Sequence, residues 1–276
     1  MKVIDHVTSP GGTRANEDRL GHAGGLAWVL DGATDLERDA FLPAPSDVLW
    51  LVDRLGDHLT ERGTQVGDDD PADLLRSLSG VIARELQDWG FPADRIHPTC
   101  SVGLLISTRD ELRMARIGDP TCLAIGTAGT AEVSTAFFGR REAEAIARGR
   151  TGGLDDETNR RGIIERRQQY IEGVLEESVF SGHPKAGLRI RTAILEPGRF
   201  DHVLLCTDGF ARAVVDYNLY PDWPTLLDRA LVDGLGAIVD QIRSYENENE
   251  SPARNGNRRP AHFKKSDDVT AILVRT

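Results

Sequence analysis

Strand-like runs stand at both ends of this 276-residue chain, with helical periodicity set between them in blocks, and that order restricts the fold more than any other feature. Apolar runs or apolar–polar alternation predict strands over Lys2 to Val7, Leu26 to Leu30, Ser101 to Ser107, Glu111 to Ile117, Thr121 to Gly126, Leu188 to Leu195, His202 to Cys206 and Val269 to Val274. Between Leu30 and Thr99 the period changes. Val48, Leu51, Val52, Leu55 and Leu59 share one helical face, and Leu75, Leu78, Ile82, Leu86 and Trp89 share another. Leu227, Leu231, Leu235, Ile238 and Ile242 predict a third helix from about Trp223 to Ser244, with Pro224 in its first turn. Gly234 and Gly236 weaken it by roughly 1 kcal/mol each. Blocks of strands and helices, rather than strict β-α-β alternation, predict an α+β fold of antiparallel sheets with helices on their outer faces. No internal repeat or clear linker interrupts residues 1–276, so a single domain is expected.

Composition narrows the setting. An apolar content of 39% supports a packed core, and a net charge of -11 disfavours nucleic acid and anionic membrane as partners by simple repulsion. The amino terminus lacks a signal-like apolar core, and no run approaches the ~18 to 20 apolar residues of a membrane helix, so a soluble, cytoplasmic protein is expected. Cys100, Cys122 and Cys206 are an odd count without a CxxC spacing, each in or beside an apolar strand, and read as buried reduced thiols. The seven histidines are scattered and read as ordinary surface or core groups.

Two segments stand apart. Residues 137–185 are arginine-rich and read as a flap or solvated excursion, with a helix expected from Thr158 to Ser178. Their arginine pairs, Arg140-Arg141, Arg160-Arg161 and Arg166-Arg167, are interspersed with acids, which favours a mixed-charge solvated face. Residues 246–266 are polar and broken by glycine and proline, and read as a mobile loop.

Four acidic motifs sit at the ends of predicted strands. The runs Leu26 to Leu30 and His202 to Cys206 lead into Asp31-Gly32 and Thr207-Asp208-Gly209, Asp267-Asp268 precedes the last strand, and Asn16-Glu17-Asp18 follows a Gly-Gly turn. A carboxylate at the end of a buried strand is held at the rim of the core, and a following glycine lets backbone approach a ligand closely. Converging carboxylates repel unless cations sit between them, and all-oxygen ligation suits Mg²⁺ or Mn²⁺ rather than zinc. A two-metal site follows from that chemistry.

In order, Asn16-Glu17-Asp18, Asp31-Gly32, Pro98-Thr99-Cys100-Ser101, Ile117-Gly118-Asp119, Cys206-Thr207-Asp208-Gly209 and Asp267-Asp268-Val269-Thr270 resemble the motifs of the PP2C, or PPM, serine/threonine phosphatase family. The resemblance spans the whole chain. It implies a four-layer α-β-β-α sandwich of two antiparallel sheets flanked by helices, with two manganese or magnesium ions at one end. It further implies that Asp31 bridges the ions, that the Gly32 carbonyl binds one, and that Asp208 and Asp267 complete the other. Glu17 and Asp18 match the family's acidic pair that holds and orients water, and Asp119 matches a third, weaker cation site. The implied reaction is direct attack of a water on a phosphoserine or phosphothreonine of a protein substrate, without a phosphoenzyme, by a monomeric enzyme.

The chain also departs from the pattern. Arg14, the candidate phosphate clamp, stands one residue closer to Glu17 than the family spacing. Ala33-Thr34-Asp35-Leu36 replaces the glycine-rich continuation after Asp31-Gly32, no histidine follows there, and Pro120 stands where serine is usual. Two other readings remain at this point, a silent pseudophosphatase that binds a partner and a hydrolase of small phosphorylated metabolites. Retention of all three core aspartates favours catalysis.

Overall fold

The computed structural model of the protein describes residues 1–65, 70–108, 110–140, 157–196, 198–248 and 266–276. Ten strands form two antiparallel sheets: β1 (Lys2–Ser9), β10 (Val269–Arg275), β9 (His202–Cys206), β6 (Thr121–Gly126) and β7 (Gly129–Val133) in one, and β2 (Asp18–Ala23), β3 (Leu26–Gly32), β4 (Cys100–Ser107), β5 (Leu112–Ile117) and β8 (Arg191–Leu195) in the other. Among the described residues, the helices α1 (Asp47–Gly63), α2 (Pro71–Asp88), α3 (Glu157–Ile171), α4 (Asp208–Val215), α5 (Trp223–Asp233) and α6 (Leu235–Glu248) accompany them.

The layers follow from the period-2 alternation of strands buried on both faces. Ala27 and Val29 of β3 meet Val203 and Leu205 of β9 between the sheets, while Leu26, Trp28 and Leu30 turn outward onto α1 and α2. On the other sheet Leu204, Cys206, Ala271 and Leu273 turn outward onto α4, α5 and α6. The resulting order is the expected α-β-β-α sandwich. Leu51, Leu55 and Ile82 are fully buried, each contributing roughly 2 kcal/mol of apolar burial. Both first helices start on side-chain caps: Ser46 accepts from Leu49 N–H at 3.0 Å, and Asp70 accepts from Ala72 and Asp73 N–H ahead of Pro71.

Several boundaries differ from the sequence expectation, each for a local reason. The single helix expected from Trp223 to Ser244 is two helices. Gly234, at φ 84°, stops α5, and Asp5 of β1 caps α6 by accepting the Leu235 N–H at 2.7 Å. The break resets the helical phase, and Leu231 is 40% exposed instead of on the buried face. Trp89 lies one residue past the end of α2 and is 53% exposed. The helix expected to reach Ser178 ends at Ile171, where Gly173 (φ 63°) closes a Schellman motif through Gly173 N–H to Tyr170 O and Val174 N–H to Gln169 O. The strand expected from Leu188 begins only at Arg191, and β2 and β7 carry too little apolar alternation to have been read as strands. The core of the expected flap, 141–156, and most of the expected mobile loop, 249–265, lie outside the described residues. Cys100, Cys122 and Cys206 are buried and free, and burial pushes the Cys122 thiol up to about 12, so these sulfurs are inert at neutral pH. Among the described residues, no helix is long and apolar enough to cross a membrane.

Candidate metal centre

The antiparallel register of β2 and β3 sets Asp18 directly opposite Asp31, and on its other side Asp31 pairs with Ser101 of β4. Like charges directly opposite on neighbouring strands are destabilising, so this pairing calls for compensation. Part of it comes from Thr207. This residue precedes α4 in the N-cap position, yet its side chain makes no cap bond. Its Oγ1 instead donates to Asp18 Oδ2 at 2.9 Å and accepts from Thr270 N–H at 3.1 Å. Asp208 opens α4, Asp267 ends the approach to β10, and Asp119 lies in the turn between β5 and β6. Asp31, Gly32, Asp119, Asp208 and Asp267 line one cavity of about 960 Å³ at that end of the sandwich.

The close approach of these chain ends explains the two Asp-Gly pairs, neither of which is a turn. A Cβ on Gly32 would stand 2.6 Å from Glu17 O and 2.7 Å from Val48 Cγ1. A Cβ on Gly209 would stand 2.0 Å from Asp268 O. Only glycine lets the segments bearing Asp18, Asp31, Asp208 and Asp267 meet at this end.

The paired acids Asp267-Asp268 divide their work. Asp268 Oδ1 accepts from Gly11 N–H and its Oδ2 from Glu17 N–H, both at 2.7 Å, and so fixes the loop that carries the Asn16-Glu17-Asp18 motif. Asn16 closes that loop by accepting from Asp18 N–H at 2.8 Å. The structural role of Asp268 is not separable from that of Asp267 in sequence, because two adjacent acids look alike there. Glu17 is half-buried and offers its backbone carbonyl to Gly32 N–H at 3.2 Å. Neither Glu17 nor Arg14 lines the cavity, and Arg14 is exposed.

Burial raises the proton affinity of the Asp31 carboxyl well above the usual carboxylate range, and repulsion from Asp18, Asp208, Asp119 and Asp267 adds to it. Asp31 is half-buried and lines the cavity, and burial is the leading cause of its shift. The Asp18 carboxyl is raised for the same reason: burial outweighs the hydrogen bond from Thr207, and Asp268 and Asp208 repel it. Asp119 is likewise raised by burial, against a hydrogen bond to Ser101. Carboxyls in this condition lack positive charge, and their all-oxygen donor set fits a hard divalent cation beside Asp31. Among the described residues, no three His, Cys, Asp or Glu side chains stand close enough to make a ready-formed cation cage.

The Asp208–Asp267 side is different, because it already holds a cation. Arg212, one turn along α4 from Asp208 and only 3% exposed, donates from Nη2 to Asp267 Oδ2 at 2.9 Å and stands 3.9 Å from Asp208 Oδ2. Its Nη1 meets no acceptor at hydrogen-bond geometry among the described residues, although Tyr217 lies beside it. An unsatisfied buried donor costs about 1–3 kcal/mol. From behind, Arg243 donates to the Asp267 carbonyl at 2.9 Å, so Asp267 is clamped at both its backbone and its side chain.

Arg140, Arg166 and Arg167 complete the cavity wall. The sequence suggests a mixed-charge solvated face for all three; Arg140 is exposed accordingly, whereas Arg166 and Arg167 are half-buried. Helix α3 docks on the loop after β3, with Arg167 donating to Thr34 O at 2.9 Å and Arg160 to Leu36 O at 2.6 Å. Burial pulls the Arg167 guanidinium down to about 10, against the pull of Asp35 and Glu17, which leaves it charged at neutral pH. The signal that could have found it is the arginine-rich character of the segment; what sequence could not supply is the docking. Among the described residues, six carboxyls (Asp31, Asp119, Glu132, Asp208, Asp216 and Asp267) and four guanidinium groups line the cavity. The wall therefore suits a cation and a phosphate together. Among the described residues, no histidine lines it.

No protein-family model matches the chain, and no curated protein matches it. Solved structures do. The serine/threonine phosphatase Stp1 from Staphylococcus aureus superposes with a TM-score of 0.60 at 13% identity, over 100% of this chain and 96% of that one. The Mycobacterium tuberculosis serine/threonine phosphatase PstP/Ppp superposes at 0.55 with 14% identity, over 97% and 95%. The catalytic domain of PstP in complex with two manganese ions superposes at 0.51 with 17% identity, over 97% and 95%. Two five-stranded antiparallel sheets, matched from end to end by these enzymes, give this chain the fold of the PP2C-type serine/threonine phosphatases.

Proposed function

We propose that the protein is a divalent-cation-dependent phosphatase acting on phosphoserine and phosphothreonine in protein substrates. The observation that carries this reading is Asp31, backed across the strand register by the buried Asp18, lining with Asp119, Asp208 and Asp267 a cavity whose other wall bears guanidinium groups. Asp31 and the Gly32 carbonyl are the groups that hold Mn²⁺ or Mg²⁺, with Asp119 beside them. The cation supplies Lewis acidity toward water and charge neutralisation for the phosphoryl oxygens. Asp18, fixed by Thr207 and short of positive charge, orients the attacking water and accepts its proton. Glu17 assists from the adjoining loop. Arg166 and Arg167 line the cavity and pair with the phosphate, a role for which the family resemblance makes Arg14 the candidate.

One observation favours a second reading, in which the protein binds phosphorylated partners without hydrolysing them: Arg212 already neutralises part of the carboxylate cluster. Hydrolysis of an aryl phosphate and of a phosphothreonine peptide, with and without Mn²⁺, separates the alternatives. Turnover of both, dependent on the cation, is the expected result. Turnover of small esters alone indicates a small-metabolite hydrolase, and cation binding without turnover of either indicates the binding module.

The phosphate contact has its own expected outcome. Arg167→Ala raises KM for the phosphopeptide roughly 10-fold or more, in keeping with loss of one charge-assisted pair of about 1.5–3 kcal/mol. Arg14→Ala changes KM by less than about 3-fold, as for an exposed charge. The opposite ranking in steady-state kinetics returns the clamp to Arg14.

A further inference from the structure

We propose that Arg212 is the built-in second cation of this site, so that the chain takes one divalent ion, on the Asp31 side of the cavity, instead of two. The inference rests on the phosphatase reading above and concerns how its charge is balanced. Arginine cannot give up its proton in a protein, so Arg212 is a permanent positive charge. It is buried, and it sits 2.9 Å from Asp267 Oδ2 and 3.9 Å from Asp208 Oδ2, the two carboxylates that sequence resemblance assigns to one ion.

A dication on the same two carboxylates would have to displace the guanidinium or share their oxygens with it at a few ångströms, where like charges in a poorly hydrated pocket repel strongly. Displacement is obstructed by the fold. Arg212 lies on α4, whose start is fixed by the Gly209 contact with Asp268, and Asp267 is held from behind by Arg243. Charge counting agrees. Among the described residues that line the cavity, carboxyls outnumber guanidinium groups by two, the charge of one divalent ion. Among the described residues, no guanidinium is hydrogen-bonded or ion-paired to the Asp31 carboxylate, which faces Asp18 across the β2–β3 register.

Manganese stoichiometry tests the idea independently of activity. Isothermal titration and electron paramagnetic resonance of the wild type are expected to give one Mn²⁺ per chain with an uncoupled six-line spectrum. Arg212→Lys, which keeps the charge, gives the same. Arg212→Ala takes up two ions per chain and shows an exchange-coupled pair. Asp267→Asn, which does not depend on the folding of an arginine-deleted pocket, still binds one ion. Two ions in the wild type overturn the inference and leave the phosphatase reading standing. One ion in a folded Arg212→Ala, or none in Asp267→Asn, also overturns it. No Mn²⁺ bound by the wild type overturns the inference and the metal-dependent reading together.

Discussion

Replacing Asp31 with asparagine lowers the cation-dependent turnover of a phosphothreonine peptide by about 10³-fold or more while making the metal-free protein more heat-stable. Both effects come from one position. Asp31 lies opposite Asp18 in the β2–β3 register and is repelled by Asp208, Asp119 and Asp267 as well. Its carboxylate is costly without a cation and indispensable with one. A 10³-fold loss corresponds to roughly 4 kcal/mol of transition-state stabilisation, which is within the reach of removing a carboxylate from a metal site. Relief of like-charge repulsion on the order of 1–2 kcal/mol raises Tm by roughly 2–8 °C in a chain of this size. Steady-state kinetics with Mn²⁺ and thermal unfolding in chelator check the two halves. Full activity in the variant would remove Asp31 from the reaction, and a lowered Tm would show that its neighbours do not repel it.

The second large effect is on folding. Gly209→Ala places a methyl carbon 2.0 Å from the Asp268 carbonyl oxygen, a backbone atom that cannot rotate away. The segment carrying Asp267 and Asp268 or the start of α4 must shift, and both are anchored: Asp268 to Gly11 and Glu17, and Asp267 to Arg212 and Arg243. Overpacking against fixed backbone costs about 3 kcal/mol, equivalent to a fall of roughly 6–12 °C in Tm. Thermal unfolding measures it. Gly12→Ala, where a Cβ meets nothing within 4 Å, serves as the control and leaves Tm within about 2 °C. Equal Tm for both variants would mean that the ends of β9 and β10 do not meet as tightly as the structure has them.

Much of the architecture was legible in the chain. Strands such as Thr121–Gly126 and His202–Cys206 were readable to the residue, because four consecutive apolar positions between turn-forming neighbours leave few alternatives. β2 was not, because Asp18-Arg19-Leu20-Gly21-His22-Ala23 has no apolar face of its own and is a strand only by pairing with β3. The same pairing supplies the site's central contact, Asp18 against Asp31. The helix break at Gly234 was underread for a related reason: a glycine weakens a helix anywhere, but it ends one only where a partner such as Asp5 caps the next segment.

For the candidate site, sequence alone determined the set of strand-end aspartates, Asp31, Asp208 and Asp267, and the α+β layering that would carry them, since both depend on local patterns of apolar runs and acids. Tertiary structure alone decided what those aspartates face. It set Asp18 across from Asp31, turned Asp268 into a loop anchor, brought Arg167 from a distant helix to the cavity wall, and put Arg212 between Asp208 and Asp267. Charge compensation is a matter of distances between residues far apart in the chain. No local pattern encodes those distances, and the packing of the two sheets and their helices does.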